Sequence, residues 1–383
     1  MLTMGVLHQS RKENEHRLAL HPELLDRVPG ALRPKLRFET GYGEIFGIPD
    51  DRLGEGFGPT GSREELLSEC DAILLPKPVP ADLLQMRPGA VLWGWPHCVQ
   101  NPEMTQIAID RKLTLIAWEA MFAWRDGVQG LHVFDRNNEM AGYCGVIHAL
   151  GEVGMDGLYG EASTAVVLSH GSVSRGAISA LLGRGYNITV YTQRPPWTVH
   201  DKMVGCRYCQ MVQGEGEKAA SVVEEDGSKR PLEEALAQAD VIVNGILQDT
   251  DHPLMFIERG HHTALKPGAL IIDVSCDDGM GFYFARPTSF DEPTFQVGAL
   301  TYYAVDHTPS YLWQSASWEL TRVVLPFLET VMGGPVAWDR DETIRRSIEI
   351  RDGVVQNKKI FSFQKRAADY PHVKLGLSKI SSP

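Results

Sequence analysis

No stretch of this chain approaches the ~20 consecutive apolar residues that a bilayer-spanning helix requires, and residues 1–7 lack the charge pattern of a signal peptide. A cytoplasmic protein is expected. Positive charge is not in excess either, since the formal net charge is -12 at pH 7. A surface of that sign offers no footprint to a polyanion, so neither nucleic acid nor an acidic membrane is an expected partner. Cysteine is sparse and scattered: Cys70, Cys98, Cys144, Cys206, Cys209 and Cys276 lie in apolar or mixed surroundings and read as reduced thiols. Only Cys206-Arg-Tyr-Cys209 forms a close pair. A zinc site would need two further ligands, and His200 is the single nearby candidate, so no metal is expected. Internal repeats and low-complexity tracts are also lacking.

What is present is the composition of a globular enzyme, with 43% hydrophobic and 22% charged residues and 37 glycines. A length of 383 residues implies two domains. The most informative stretch runs from Thr164 to Arg194. A β-branched run (Thr164 to Ser169), a small-residue turn, a helix of about three turns and a second β-branched run (Asn187 to Thr192) make a βαβ unit with parallel strands. The turn lacks two glycines of the Gly-x-Gly-x-x-Gly fingerprint: Ser169 and Ser174 replace the first and third, and only Gly171 stays in register. Gly171 still permits close backbone approach to a pyrophosphate, and the helix beyond it offers unpaired N–H groups. Ser169, Gly171, Ser172, Val173 and Ser174 are therefore candidate cofactor contacts.

The end of the second strand lacks the Asp or Glu that usually binds the adenosine ribose of NAD. Thr192-Gln193-Arg194 stands there, and a guanidinium suits a ribose 2′-phosphate. NADP(H) is preferred over NAD(H), with an ordinary exposed loop arginine as the competing reading. Asp240 to Gly245 and Gly268 to Asp273 read as further buried parallel strands, which puts Asn244 and Gly245 on the cofactor side. Asp277, four residues past Asp273, falls near the expected nicotinamide position or simply forms the turn before Asp278-Gly279. The segment 197–230 is polar and longer than a usual loop, and its pattern is uninformative.

Ahead of this unit, Lys12 to Glu23 is a polar loop after a short strand, followed by a helix led by Pro22. Lys77 is fixed between Pro76 and Pro78 at the end of the strand Asp71 to Leu75, and His97 follows the strand Ala90 to Trp95. Strand ends of this kind are where α/β sheets place ligands. A final strand from Tyr302 to Asp306 and a helix from Trp313 to about Met332 are expected, and the last fifty residues return to the first domain. The fold class is α/β: two Rossmann-like domains, with the dinucleotide-binding one (139–308) inserted into a discontinuous catalytic domain (1–138 and 309–383).

Lys12-Glu-Asn-Glu-His-Arg17, Lys77-Pro78, Gly94-Trp-Pro-His97, Glu139-Met-Ala-Gly142, Lys266-Pro-Gly268 with Asp273-Val-Ser-Cys-Asp277, and Arg286-Pro-Thr288 occur in this order. Over most of its length the chain resembles the alanine dehydrogenase and transhydrogenase alpha-subunit family. Within that family, the turn Gly171 to Ala177, Gly94-Trp-x-His97 and Thr308-Pro-Ser look more like the carboxyethylornithine synthase branch. The resemblance implies that Arg17 holds a substrate carboxylate, that Lys77 contacts carboxylate and carbonyl, that His97 is the acid/base and that Asp277 assists as an active-site aspartate. It also implies a homo-oligomer.

The activity implied is reductive condensation of a pyruvate-like 2-oxo acid with an ornithine- or lysine-like amine, using NADPH. For the amine, Glu15, Asp278 and Asp306 are candidates by position. The alternatives are alanine dehydrogenase-type oxidative deamination and a non-catalytic NADP-binding regulatory protein. Joint retention of Arg17, Lys77, His97 and Asp277 argues against the last.

Overall fold

The computed structural model describes residues 1–53, 56–214, 219–224, 226–248 and 253–375. It divides into two compact units, Met1–Asp135 with Trp313–Pro383, and Arg136–Leu312. Both are α/β, built on mainly parallel sheets.

The first unit carries a seven-stranded sheet in the order Leu36–Phe38, Met4–Val6, Ala72–Leu74, Val91–Gly94, Thr114–Ala117, Ile348–Arg351, Val354–Val355. Its first five strands are parallel, and the two from the C-terminal segment run antiparallel. In chain order the parallel part reads 2-1-3-4-5, so strand order reverses between Met4–Val6 and Ala72–Leu74. Four of these strands, Met4–Val6, Ala72–Leu74, Val91–Gly94 and Thr114–Ala117, are fully buried, as continuous apolar runs in a sheet covered on both faces must be. The helix Trp313–Met332 brings the chain back: Ser317 Oγ accepts from Leu18 N at 2.8 Å, and Thr321 Oγ1 accepts from His21 N at 2.6 Å. The helix expected after His21 is a 3-10 helix, Pro22–Arg27, only six residues long.

The second unit has nine strands, ordered Lys229–Pro231, Ala220–Val223, Cys206–Gln213, Asn187–Thr192, Thr164–Leu168, Val241–Asn244, Leu270–Asp273, Leu300–Tyr303, Thr294–Val297. Six of them, from Cys206–Gln213 to Leu300–Tyr303, are parallel. Numbered by their place in the chain, these six follow the 3-2-1-4-5-6 order of dinucleotide-binding sheets, with the reversal between Thr164–Leu168 and Val241–Asn244. The segment 197–230 supplies three strands, although residues 215–218 and 225 fall outside the described set. The strand expected at Tyr302 to Asp306 is instead Leu300–Tyr303, and Val305 makes only an isolated bridge to Thr288.

Helix Asp135–Val153 crosses helix Ser172–Leu182 with the two backbones in contact. A Cβ on Gly142 would lie 1.8 Å from Val173 O, and one on Gly176 would lie 1.7 Å from Glu139 O. Only glycine fits either position, which explains the spacing of Glu139-Met-Ala-Gly142. Among the described residues, no helix is long and apolar enough to cross a membrane.

Candidate active site

In the first unit, the loops that follow the two strands at the reversal of order meet each other. Ser10 Oγ, after the first strand, donates to the carbonyl of Lys77, after the third. The Lys77 turn is fixed from below: Asp82 Oδ2 accepts from Val79 N at 2.9 Å, while its Oδ1 accepts from Arg63 Nη2 at 2.9 Å. The next turn is tied to it, because Trp95 N donates to Pro76 O at 2.9 Å. Gly94 makes this approach feasible, since a Cβ there would sit 1.9 Å from Leu75 O.

These constraints bring two of the sequence candidates together. Lys77 Nζ lies 2.9 Å from His97 Nε2, and Lys77 is a buried lysine. An ammonium only donates, so Nε2 must be the acceptor and the imidazole proton sits on Nδ1. Two positive charges about 4 Å apart would cost about 4 kcal/mol at an effective dielectric of about 20, which favours a neutral His97 beside a charged Lys77. His97 itself adopts a left-handed backbone, φ 48°, a conformation that costs roughly 1–3 kcal/mol in a residue other than glycine. Its N–H donates to Glu119 Oε1 at 2.6 Å, and its carbonyl accepts from Asn101 N at 3.0 Å. Both bonds hold the strained geometry.

Glu119 is a site residue that the sequence did not single out. Its Oε1 lies 3.9 Å from His97 Nδ1, while its Oε2 is enclosed and has no hydrogen-bond partner. Desolvation, followed by the negative charge of Glu349, pushes its pKa up to about 8 against the pull of Lys77 and two backbone N–H groups. Arg17 is 1% exposed, its guanidinium gripped by Glu15 through Nε at 2.8 Å and through Nη2, with its face 5.0 Å from the Trp95 ring. Glu15, a positional candidate for the amine, thus orients Arg17. Trp95, Trp118 and Phe134 form an aromatic wall behind this group.

In the second unit, the turn that lacks glycine is stitched by hydroxyls. Ser169 has φ 82°, the left-handed conformation that explains why glycine is usual there. Its Oγ lies 2.6 Å from Ser174 Oγ and donates to Gly245 O at 3.1 Å, and Ser174 Oγ donates to Leu168 O at 3.1 Å. Gly171 is the N-cap of Ser172–Leu182, so the first N–H groups of an eleven-residue helix are presented there.

A cavity of about 410 Å³ opens beside this turn, lined by Ser169, His170, Gly171, Thr192, Gln193, Arg194, Met211, Gly245, Ile246 and Leu247. The volume and donors suit the adenosine half of a dinucleotide. Arg194 Nη2 donates to His170 O at 3.4 Å, Thr192 Oγ1 accepts from Arg194 N at 3.2 Å, and burial lowers the pKa of His170. Ser172, Val173 and Ser174 underlie the cavity without lining it. Asn244 also lies outside the lining: its amide binds Asp273 Oδ1 at 2.8 Å, and its Oδ1 accepts from Ile246 N at 3.0 Å.

Asp273 is a further group the sequence reading passed over. It is 1% exposed, accepts from Tyr302 OH at 2.6 Å, and burial raises its pKa to about 7. Asp277 closes a turn through its carbonyl, which accepts from Met280 N at 3.0 Å, and desolvation raises the pKa of its carboxyl.

Residues 5–141 match the family model "Alanine dehydrogenase/PNT, N-terminal domain", and residues 141–358 match "Alanine dehydrogenase/PNT, C-terminal domain". The chain belongs to the alanine dehydrogenase/PNT family. An alanine dehydrogenase of Mycolicibacterium smegmatis is 25% identical over 360 residues, covering 89% of this chain and 91% of its own. An N(5)-(carboxyethyl)ornithine synthase of Lactococcus lactis is 27% identical over 300 residues, covering 75% and 83%. A solved L-alanine dehydrogenase superposes with a TM-score of 0.73 at 19% identity over 94% of this chain and 98% of its own, and supports the fold. This member of the alanine dehydrogenase/PNT family is an NAD(P)-dependent oxidoreductase of the class acting on CH–NH or CH–NH2 donors.

Proposed function

We propose that this chain is an NADP(H)-dependent oxidoreductase that condenses a pyruvate-like 2-oxo acid with an ornithine- or lysine-like amine and reduces the resulting imine to an N-carboxyalkyl amino acid. The observation that carries the reading is the Lys77–His97 contact at 2.9 Å, a buried cation bonded to a neutral base. In this reading the first unit, with boundaries near 1–138 and 309–383, handles substrate, and the insert near 139–308 holds the dinucleotide.

Arg17, oriented by Glu15, anchors the carboxylate of the oxo acid. Lys77 turns its ammonium to the carboxylate and carbonyl oxygens, which leaves His97 Nε2 to exchange protons with the reacting nitrogen and oxygen. Condensation releases the carbonyl oxygen as water, and reduction adds one proton and one hydride across C=N. The nicotinamide supplies that hydride when bound. Asp277, beyond the strand Leu270–Asp273, assists with the water or amine. The turn Ser169 to Ser174, with Asn244 and Gly245 on the neighbouring strand end, holds the pyrophosphate side of the cofactor, and Thr192 and Arg194 receive the ribose 2′-phosphate. A homo-oligomer is expected.

Oxidative deamination of a small L-amino acid is the second reading. It is favoured by the alanine dehydrogenase relative, which covers more of this chain than the ornithine synthase does. A matrix of 2-oxo acids against amines, followed by NADPH absorbance, separates the two. The proposal expects NADPH consumption only when pyruvate is paired with ornithine or lysine. Turnover with pyruvate and ammonia alone would transfer the assignment to the second reading, and no consumption with any pair would remove both.

A further inference from the structure

The C-terminal segment brings a buried carboxyl onto the strand beside the one that leads to Glu119. Glu349 lies on Ile348–Arg351, which pairs antiparallel with Thr114–Ala117, and the register shifts between Ile348 and Ile350. Glu349 therefore occupies an irregularity of the ladder, the type of site where a strand re-aims a side chain. It is 5% exposed. Its Oε1 accepts from Asn357 Nδ2 at 2.8 Å, and its Oε2 is enclosed without a hydrogen-bond partner, as is Oε2 of Glu119. The same segment reaches the His97 turn a second time: Gln364 Nε2 donates to Cys98 O at 2.6 Å and to Val99 O at 3.2 Å. Gln364 lies past residue 358, where the family match ends.

Carboxylates are acceptors only; Glu119 is half-buried and Glu349 buried, and their negative charges repel each other. One proton on the pair removes the repulsion and makes the oxygen that carries it a donor. The Asn357 amide favours the ionised form of Glu349, which leaves the proton on Glu119. We propose that Glu349 is a positioning residue for the proton chemistry of His97: it holds the negative charge of the pair, so that Glu119 faces the imidazole as a neutral acid and His97 stays a neutral base beside Lys77. The other titratable groups around the pair are Lys77, His97 and the buried Cys98 thiol, raised by burial and by both carboxyls. On the neighbouring surface, Glu342 pairs with Arg345 and Arg346, and Arg351 with Asp339. The catalytic meaning of this charge assignment rests on the proposed function.

Glu349→Gln in the full chain is the test. With the negative charge of Glu349 removed, only desolvation still raises the Glu119 pKa, and Glu119 ionises more readily beside His97 and stabilises the imidazolium. The His97 titration midpoint, read by NMR with isotope-labelled histidine, should rise by about one pH unit, and the acid limb of NADPH turnover should rise with it. A folded variant in which the midpoint is unmoved overturns the proposal. A moved midpoint without turnover in any variant retains it and sinks the enzymatic reading instead. Should Glu349→Gln fail to fold, the wild-type chain with labelled glutamate answers by infrared spectroscopy. A protonated glutamate carbonyl band should persist at neutral pH and vanish as pH passes about 8, and its absence at neutral pH overturns the pair.

Discussion

The two units present their candidate groups in opposite ways. In the first, ionisable side chains, buried at Arg17, Glu15 and Lys77 and half-buried at His97 and Glu119, hold one another: Arg17 with Glu15, Lys77 with His97, and Glu119 under His97. In the second, the turn is made of backbone, two serine hydroxyls and a helix N-terminus, and its one conspicuous charge, Arg194, is exposed. The difference fits the tasks proposed for the two units. A site that moves protons needs ionisable groups whose solvation is controlled, whereas a site that holds a phosphate needs donors that keep their geometry at every pH.

This contrast can be broken experimentally. On the cofactor side the largest effect is expected at the exposed Arg194: Arg194→Ala should weaken NADPH binding about 10–100-fold, the equivalent of one charge-assisted hydrogen bond of about 1.5–3 kcal/mol, and leave NADH little changed. Fluorescence titration with both cofactors checks it, and equal losses would remove the 2′-phosphate reading. Gly94→Ala should destabilise the first unit by about 1–3 kcal/mol, because the added carbon meets a backbone carbonyl rather than a movable side chain. Denaturant midpoints measure this.

The second unit contains one exception to its pH-indifference. Asp273 has its pKa raised to about 7, against about 3.9 in an unfolded chain. The folded state therefore holds a proton that the unfolded state releases in this window. The contribution to stability is full below about pH 4 and is lost as pH rises through about 7. A decline in Tm of several degrees is expected across that window, and Asp273→Asn should flatten it. Smallest of all is Ser169→Gly. Relief of the left-handed backbone offsets the lost hydroxyl bonds, and stability should stay within about 0.5 kcal/mol.

The sequence made the second unit's frame legible because its central strands are uninterrupted β-branched runs bounded by small-residue turns, as Thr164 to Thr192 shows. The edge strands of 197–230 escaped because their burial is mixed: Cys206–Gln213 is half-buried along most of its length, exposed only at Arg207 and Gln213 and buried only at Met211, and carries no clean period. The strand near Tyr302 was misplaced by two residues because Ala304 and Val305 are buried like their predecessors yet leave the ladder. Lys77 and His97 could be paired from sequence, since each follows a neighbouring strand of one sheet. Glu119 and Glu349 could not. Their relation depends on an antiparallel return from a segment more than two hundred residues later, and on a local irregularity that no composition or period records.

The central claim is that His97 moves the proton while the second unit holds the dinucleotide. Single-turnover oxidation of NADPH with pyruvate and ornithine by the His97→Ala chain tests it most directly. The account predicts a rate at least ~100-fold below wild type with unaltered NADPH affinity. An unchanged rate would contradict it.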